Sequence, residues 1–193
     1  MNTSNIRKGI IGSFYDSSPR TCVSFFCDDS LGIPIGFPVM RGTNLETQCK
    51  RFNGGVSTEI LGVAAFSHLV TTGSYSPTYK QSYYPQYAPV TILKEGRMWI
   101  PIYGGQTIGV GDTAYIDTLY DRITNTKVIN QTVPIGRFLT GGTSQLDDSV
   151  LFVLELIPGF EEEPDATLRK AEVLTSKLEN SDVNFKKSKK ENK

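Results

Sequence analysis

The sequence predicts a mainly β protein, a single β-barrel-like or sandwich-like domain with an N-terminal arm and a C-terminal helical tail. Three observations support this fold class. Residues 89–117 alternate apolar and polar side chains with the two-residue period of strands, and they show no helical period. Gly, Thr and Ser are plentiful, whereas helix-forming residues are scarce before residue 160. A helical pattern begins only after Pro158-Gly159.

Length and composition exclude several classes of function. A chain of 193 residues, 38% of them hydrophobic, can hold one medium domain plus a tail. Its formal net charge is zero, which argues against bulk nucleic-acid binding. No apolar run reaches the roughly 20 residues that cross a bilayer, and the first residues lack the apolar core of a secretion signal. We therefore expect a cytosolic site of maturation, with no nucleic-acid and no membrane partner.

The elements follow in chain order from the same patterns. Residues 1–30 form the predicted N-terminal arm, whose strand has Val23, Phe25 and Phe26 as its apolar part. Glu95-Gly96 is expected to be a turn. Residues 150–157 form the strongest apolar strand, which we expect in the centre of a sheet. The other predicted strands lie within residues 32–39, 56–66, 90–92, 98–103, 114–116, 128–129 and 133–139.

A polar loop rich in Tyr and Pro occupies residues 71–89. A loop of this length is either functional or poorly ordered. Its five tyrosines are spaced too closely, between prolines, for all of them to belong to the core. Tyr offers a large rigid contact area with a polar tip and is enriched at interfaces. We predict a contact surface anchored by Tyr79, Tyr83 and Tyr84, and the alternative is a loop packed on its own domain.

The composition of the chain changes at Pro158-Gly159, which divides it into an arm (1–30), a β-rich domain (31–158) and a charged helical or disordered tail (159–193). An acidic run is followed by an apolar stripe at helical spacing, and the basic end cannot build a core. We predict a helix that docks on a neighbouring subunit through Leu168, Leu174 and Leu178. The alternative is a solvated appendage.

The side chains that could do chemistry form no catalytic pattern. His68, the single histidine, has no nucleophile motif beside it. Asp28-Asp29 and Asp147-Asp148 lie among turn residues, where Asp is favoured because it bonds to the local backbone. The glycines of residues 104–111 lack the Lys and Ser/Thr of a phosphate-binding loop and are followed by Asp112. The sequence predicts no enzyme and no cofactor.

Three cysteines, Cys22, Cys27 and Cys49, make an odd set that argues against a full disulfide framework. Together with His68 they do not have the close-paired spacing of zinc ligands. We therefore expect free thiols and no metal, with a Cys22–Cys27 bridge across a turn left open.

The order of these pieces resembles that of phage capsid decoration proteins, also called structural cement proteins. The resemblance covers roughly residues 5–158 and depends on the order and spacing of the motifs rather than on any one of them. The long Tyr-rich loop and the charged tail depart from it. The matching segments are Gly36-Phe37-Pro38-Val39, Gly62-Val63-Ala64, Gly96-Arg97-Met98-Trp99-Ile100, Gly111-Asp112-Thr113-Ala114-Tyr115, Pro134-Ile135-Gly136-Arg137-Phe138 and residues 151–156.

The resemblance implies a non-enzymatic virion structural protein that binds and reinforces the assembled capsid shell. Its partner would be the major capsid protein, and it would form a homo-oligomer on the capsid surface of a virion assembled in the host cytoplasm. Two alternatives stay open. One is another virion component, such as a head–tail connector or a head-fibre base, and the other is a carbohydrate-binding β-domain that uses the tyrosines and Trp99.

Overall fold

A computed structural model describes residues 9–54, 60–67, 75–76, 81–102, 105–144 and 150–160. The chain divides into two units, Met1–Phe160 and Glu161–Lys193, and all described residues belong to the first. The predicted tail helix lies outside the described residues. Among those that are described, no helix is long and apolar enough to cross a membrane. The strands are β1 (Thr21–Cys27), β2 (Ile33–Pro34), β3 (Pro38–Arg41), β4 (Gln48–Arg51), β5 (Ile60–Ala64), β6 (Tyr75–Ser76), β7 (Gln81–Tyr84), β8 (Pro89–Pro101), β9 (Thr107–Ile108), β10 (Thr113–Asp117), β11 (Arg122–Thr124), β12 (Thr132–Phe138), β13 (Gly142–Thr143) and β14 (Leu151–Leu156).

Five of these strands close into a barrel. The ring runs β1-β4-β3-β5-β8 and returns to β1, because β1 pairs with both β4 and β8. The β1–β4 pairing is parallel, whereas the other four pairings in the ring are antiparallel. The predicted mainly β fold is thus confirmed as a closed barrel, and the strand predicted in the N-terminal arm is one of its members.

The long strand β8 connects the barrel to the rest of the main sheet. Its first half pairs with β1 and β5, and its second half pairs with β14, from which the sheet continues through β12 and β10 to β11. The predicted turn at Glu95-Gly96 is wrong, since the strand runs unbroken through both residues. Gly96 has a φ of 121°, which a glycine adopts without strain, so the strand exchanges partners there instead of ending.

Two apolar clusters stabilise this arrangement. The smaller cluster contains buried side chains from all five barrel strands, including Cys27, Val39, Cys49, Ala64 and Ile92. The larger cluster collects the buried side chains of the second half of β8, β10, β12 and β14, together with residues of the barrel strands. The prediction that Met98, Ile100 and Ile102 share one buried face is confirmed, because all three are fully buried in the larger cluster.

Several other sequence predictions can be compared directly with the strands. The strand over residues 150–157 is confirmed as β14, which lies between β8 and β12 inside the sheet. The segment 32–39 is not one strand, because a turn separates β2 from β3. Val128 and Ile129 are not in a strand but in an exposed turn, where Asn130 has a φ of 61°.

The segment that precedes β1 lies along the second half of β8. The amide of Gly12 donates to Trp99 O at 2.7 Å, Trp99 N donates to Ser13 O at 2.9 Å, and Tyr15 N donates to Arg97 O at 3.0 Å. The described part of the predicted arm therefore extends the molecule's own sheet on the side of β8 opposite to β14.

Candidate binding surface

One end of the barrel presents a group of exposed apolar side chains, which we call the barrel-end patch. Its members are Phe26, Leu31, Leu45 and Tyr87, all at least half exposed. Backbone hydrogen bonds bring their segments together, because Phe26 N donates to Thr47 O at 2.8 Å and Tyr87 N donates to the carbonyl of Cys27 at 2.7 Å. Single exposed apolar residues are normal on protein surfaces, but a group of them marks a candidate interaction site.

Two aspartates hold the loops of this patch in place. Asp28 Oδ2 accepts a hydrogen bond from Thr43 N at 2.9 Å, and Asp29 Oδ1 accepts one from Leu31 N at 2.9 Å. The bonds from Thr43 lower the pKa of Asp28 below its ordinary value. The Asp29 contact confirms the predicted local hydrogen bonding in a turn, whereas Asp28 bonds to the more distant loop after β3, and the two contacts fix the loops that carry Leu31 and Leu45. Asp147 and Asp148 lie outside the described residues.

The tyrosines of the predicted contact loop differ in how deeply their side chains are buried. Tyr84 is buried, and its hydroxyl donates to Ala65 O at 2.5 Å. Its burial raises its pKa and favours the domain-internal alternative for this residue. Tyr83, its neighbour in β7, is half-buried, because successive strand residues point to opposite sides. Tyr87, which was not predicted as an anchor, is 70% exposed, and Tyr79 lies outside the described residues.

A second apolar group, the sheet-end patch, consists of Leu119, Tyr120, Val128 and Ile129 in the loops on either side of β11. Asp117 organises these loops. Its carboxylate accepts hydrogen bonds from Leu119 N at 3.0 Å, from Tyr120 N at 3.3 Å and from the Gln131 side chain at 3.1 Å. A buried carboxylate therefore holds the backbone of the loop that carries Leu119 and Tyr120.

A charge cluster lies between the two patches. Arg51 is 3.7 Å from Asp29 beside the barrel-end patch, and Arg122 is 3.8 Å from Asp117 beside the sheet-end patch. Asp121 connects the two pairs. Its pKa is raised, first by burial and then by the nearby Asp117 and Asp29 carboxylates, while Arg51 opposes the shift. The two patches therefore lie on either side of one group of charges.

Other candidates from the sequence do not form an open site. The ring of Trp99 packs edge-on against Tyr15 at 5.4 Å and lies directly over Gly9, so the chain itself covers it. Asp112 Oδ2 accepts a hydrogen bond from Gly109 N at 2.7 Å, which confirms a strand turn where a phosphate loop was considered. In the described ranges no three His, Cys, Asp or Glu side chains could hold a metal ion. His68 lies outside these ranges.

The structure also shows whether Cys22 and Cys27 can form a disulfide. Cys22 and Cys27 lie near opposite ends of the same strand, Cys22 exposed and Cys27 buried. Five residues of extended chain separate Cα atoms by about 16 Å, far beyond the roughly 7 Å limit for a disulfide. A Cys22–Cys27 bridge is therefore excluded.

Comparison with known proteins identifies the kind of molecule to which these surfaces belong. The family model described as "Structural cement protein (E217 gp24/Pam3 gp6)" matches residues 1–156. This chain belongs to the structural cement protein family. The members of this family are phage virion proteins, as the order of the sequence motifs implied. This cement protein is therefore a structural component of the capsid that reinforces the shell.

A solved structure shares the fold of this cement protein. A chain in the structure titled "The capsid of Myoviridae Phage XM1" superimposes with a TM-score of 0.53. The match covers 83% of this chain and 99% of that chain, at 12% sequence identity. The comparison with curated proteins gives no match. The fold is thus retained at an identity where few individual side chains correspond.

Proposed function

We propose that this cement protein reinforces the assembled shell by bridging neighbouring copies of the major capsid protein at the outer surface of the virion. The observation that carries the proposal is the pair of apolar patches on hydrogen-bonded loops, flanking one charge cluster. Two moderate contacts on a repetitive lattice strengthen each other, because the second forms at a high effective concentration once the first is made. Separation of two bridged capsid subunits would then require one of these contacts to break in addition to the contacts between the subunits themselves.

Rigid loops favour this role for the two patches. Asp28, Asp29 and Asp117 fix the backbone that carries the exposed apolar residues, so less conformational entropy is lost when a partner covers them. Asp28 and Asp29, two of the carboxylates that could do acid–base chemistry, instead accept hydrogen bonds from backbone amides. We infer from this that the chain works by binding and has no enzymatic activity.

Three finer parts of the proposal concern the setting. The protein acts as a homo-oligomer on the shell and joins it in the host cytoplasm, as the family resemblance implies. In the Tyr-rich loop, Tyr79 and Tyr83 contact a neighbouring subunit. In the tail, Leu168, Leu174 and Leu178 dock a helix on such a subunit, a hypothesis that falls outside the described residues.

Paired substitutions test the two patches. We expect Leu31→Ser with Leu45→Ser, and separately Leu119→Ser with Ile129→Ser, to weaken binding to capsids that lack the protein. Loss of one well-buried interface anchor costs about 2 kcal/mol, which corresponds to a weakening of about 30-fold. The measurement is co-sedimentation of the full-length protein with such capsids over a range of concentrations.

A matched control removes equally exposed apolar residues elsewhere. Ile10 and Val110 are 62% and 74% exposed and belong to neither patch. The Ile10→Ser, Val110→Ser chain should bind like the native chain, and all three variants should melt at the native temperature because the replaced side chains are exposed. Equal binding by the control and by both patch variants would show that the patches do not contact the shell.

A further inference from the structure

Two buried thiols face each other across the parallel seam of the barrel. Cys27 is the last residue of β1 and is the direct register partner of Cys49 in β4. Both side chains are fully buried, both are free, and both belong to the cluster formed by all five barrel strands. They therefore point to the same side of the sheet.

The spacing of such partners suits a disulfide. Neighbouring strands lie about 4.8 Å apart, and cysteine Cα atoms joined by a disulfide are usually about 4.4–6.8 Å apart. The thiol of Cys27 donates weakly to Asp29 O at 3.6 Å and to Tyr84 O at 3.8 Å, so neither contact is a strong bond that would have to be given up. Cys22 is exposed and lies on the other side of the strand, so it does not compete for either partner.

The seam between β1 and β4 is one of the two shortest in the ring. It is held by two register pairs, Phe26 with Gln48 and Cys27 with Cys49, as many as the β5–β8 seam has, whereas the β1–β8 seam has six. Parallel pairing is also slightly less stable per residue than antiparallel pairing. A covalent link at this position would join strands that are more than 20 residues apart in the chain and would restrict the unfolded state.

We propose that Cys27 and Cys49 form an intramolecular disulfide that closes the β1–β4 seam after the protein leaves a reducing cytoplasm. The oxidant is a small-molecule disulfide. One cysteine thiolate attacks it to give a mixed disulfide and releases one thiol, and the second thiolate then displaces the second thiol. In total the two cysteines lose two protons and two electrons, which the oxidant takes up. The proposed function in a virion determines when this reaction takes place, but it does not determine which two residues react.

Burial makes the reaction slow, which fits a modification that follows folding. Burial raises the pKa of Cys27 to about 11 and that of Cys49 to about 12, so the reactive thiolate is scarce near neutral pH. Oxidation therefore requires a transient opening of the seam. The chain folds and assembles with free thiols, and the link forms later in an oxidising medium.

The test uses full-length Cys22→Ser protein, in which only the proposed pair remains. It is incubated with oxidised glutathione near pH 8, and its thiols are then alkylated and mapped by mass spectrometry. We expect a linked peptide pair containing Cys27 and Cys49, a chain lighter by two hydrogens, and a melting temperature raised by about 5 °C or more. Dithiothreitol should reverse both changes. Cys22→Ser with Cys49→Ser serves as the control and should show no shift with oxidation.

Four results would overturn the proposal. One is the persistence of two free thiols after incubation at a urea concentration just below the unfolding transition, where the seam opens. Another is the accumulation of glutathione adducts in place of the linked pair. The third is a link that forms only in the unfolded chain, and the fourth is a link that fails to raise the melting temperature. If the Cys49→Ser control does not fold, Cys22→Ser with Cys27→Ser replaces it, and the peptide map remains decisive without either control.

Discussion

Single aspartates determine the shape of the exposed loops in this protein. Asp29, Asp112 and Asp117 each accept at least one backbone amide hydrogen bond within a turn, and Asp28 accepts one from Thr43 in the loop after β3. Such bonds give a partner to backbone amides that do not pair with another strand, and they fix the loop backbone. The apolar residues of the barrel-end and sheet-end patches are consequently presented to a partner in one arrangement.

Asp121 differs from these residues because its surroundings oppose its charge. Its raised pKa means that ionisation costs folding stability, so stability is gained as pH falls through the pKa of the folded state. We predict that Asp121→Asn raises the melting temperature near pH 7, and that the gain shrinks as the pH approaches about 4 and the native carboxyl becomes protonated. Asn tolerates the φ of 53° at this position. Thermal unfolding followed across this pH range measures the effect.

Asp28 supplies a control for which the opposite change in melting temperature is expected. Its pKa is lowered by the hydrogen bonds from Thr43, so its contribution is present above the unfolded-state pKa and is lost as pH falls through the folded-state value. Asp28→Asn should therefore lower the melting temperature near pH 7 and have less effect near pH 3. A destabilising Asp121→Asn change near pH 7 would contradict the electrostatic description of the charge cluster.

At the scale of the strands, two glycines permit neighbouring backbones to approach closely. A Cβ atom at Gly62 would lie 2.1 Å from Leu93 O, and one at Gly136 would lie 1.9 Å from Glu155 O. A register shift lies beside each glycine. The β3–β5 pairing shifts between Val39 and Met40, next to Gly62, and the β10–β12 pairing shifts between Ala114 and Tyr115, next to Gly136. The glycines therefore accommodate bulges in the barrel and in the second part of the sheet.

A comparison of alanine substitutions tests this role. Gly136→Ala should destabilise the fold by more than about 2 kcal/mol, because backbone would have to move to admit the methyl group. Gly111 has a φ of 88° but no atom within 4 Å of an added Cβ, so Gly111→Ala should cost only the backbone strain, about 1 kcal/mol. Urea unfolding of both variants gives the two free energies. A Gly136→Ala loss no larger than that of Gly111→Ala would show that the approach is not tight.

The strands that the sequence predicted are those whose own residues are apolar. β5, β12 and β14 were found because their apolar positions show a continuous run or a two-residue period. β4, with the sequence QCKR, carries no such pattern, since it forms by pairing with β1 and β3 and buries mainly Cys49. The predicted strand at Val128 failed because two neighbouring apolar residues in an exposed turn resemble a short strand.

The candidate surface was harder to predict than the fold. Tyr84 points inward and Tyr83 partly outward because of how β7 pairs with β2, and that register is not visible in a loop crowded with tyrosines. Leu31, Leu45 and Leu119 are isolated apolar residues in polar segments, which the sequence does not distinguish from residues of the core. Only the tertiary hydrogen bonds show that they gather in patches.

At the scale of the whole molecule, reinforcement of a shell requires contacts that span more than one capsid subunit. A closed barrel has no free edges to unravel, and the sheet that extends from β8 to β11 supplies the loops of the sheet-end patch. The central claim is thus that binding of this chain raises the free energy needed to separate neighbouring capsid subunits.

The thermal disruption of capsids that lack this protein tests that claim most directly. Light scattering would follow such capsids during heating, with increasing amounts of the full-length chain or of the Leu31→Ser, Leu45→Ser variant. The native chain should raise the disruption temperature until its sites on the shell are filled, and the variant should require about 30-fold more protein for the same rise. A native chain that sediments with the capsids and leaves their disruption temperature unchanged would contradict the claim.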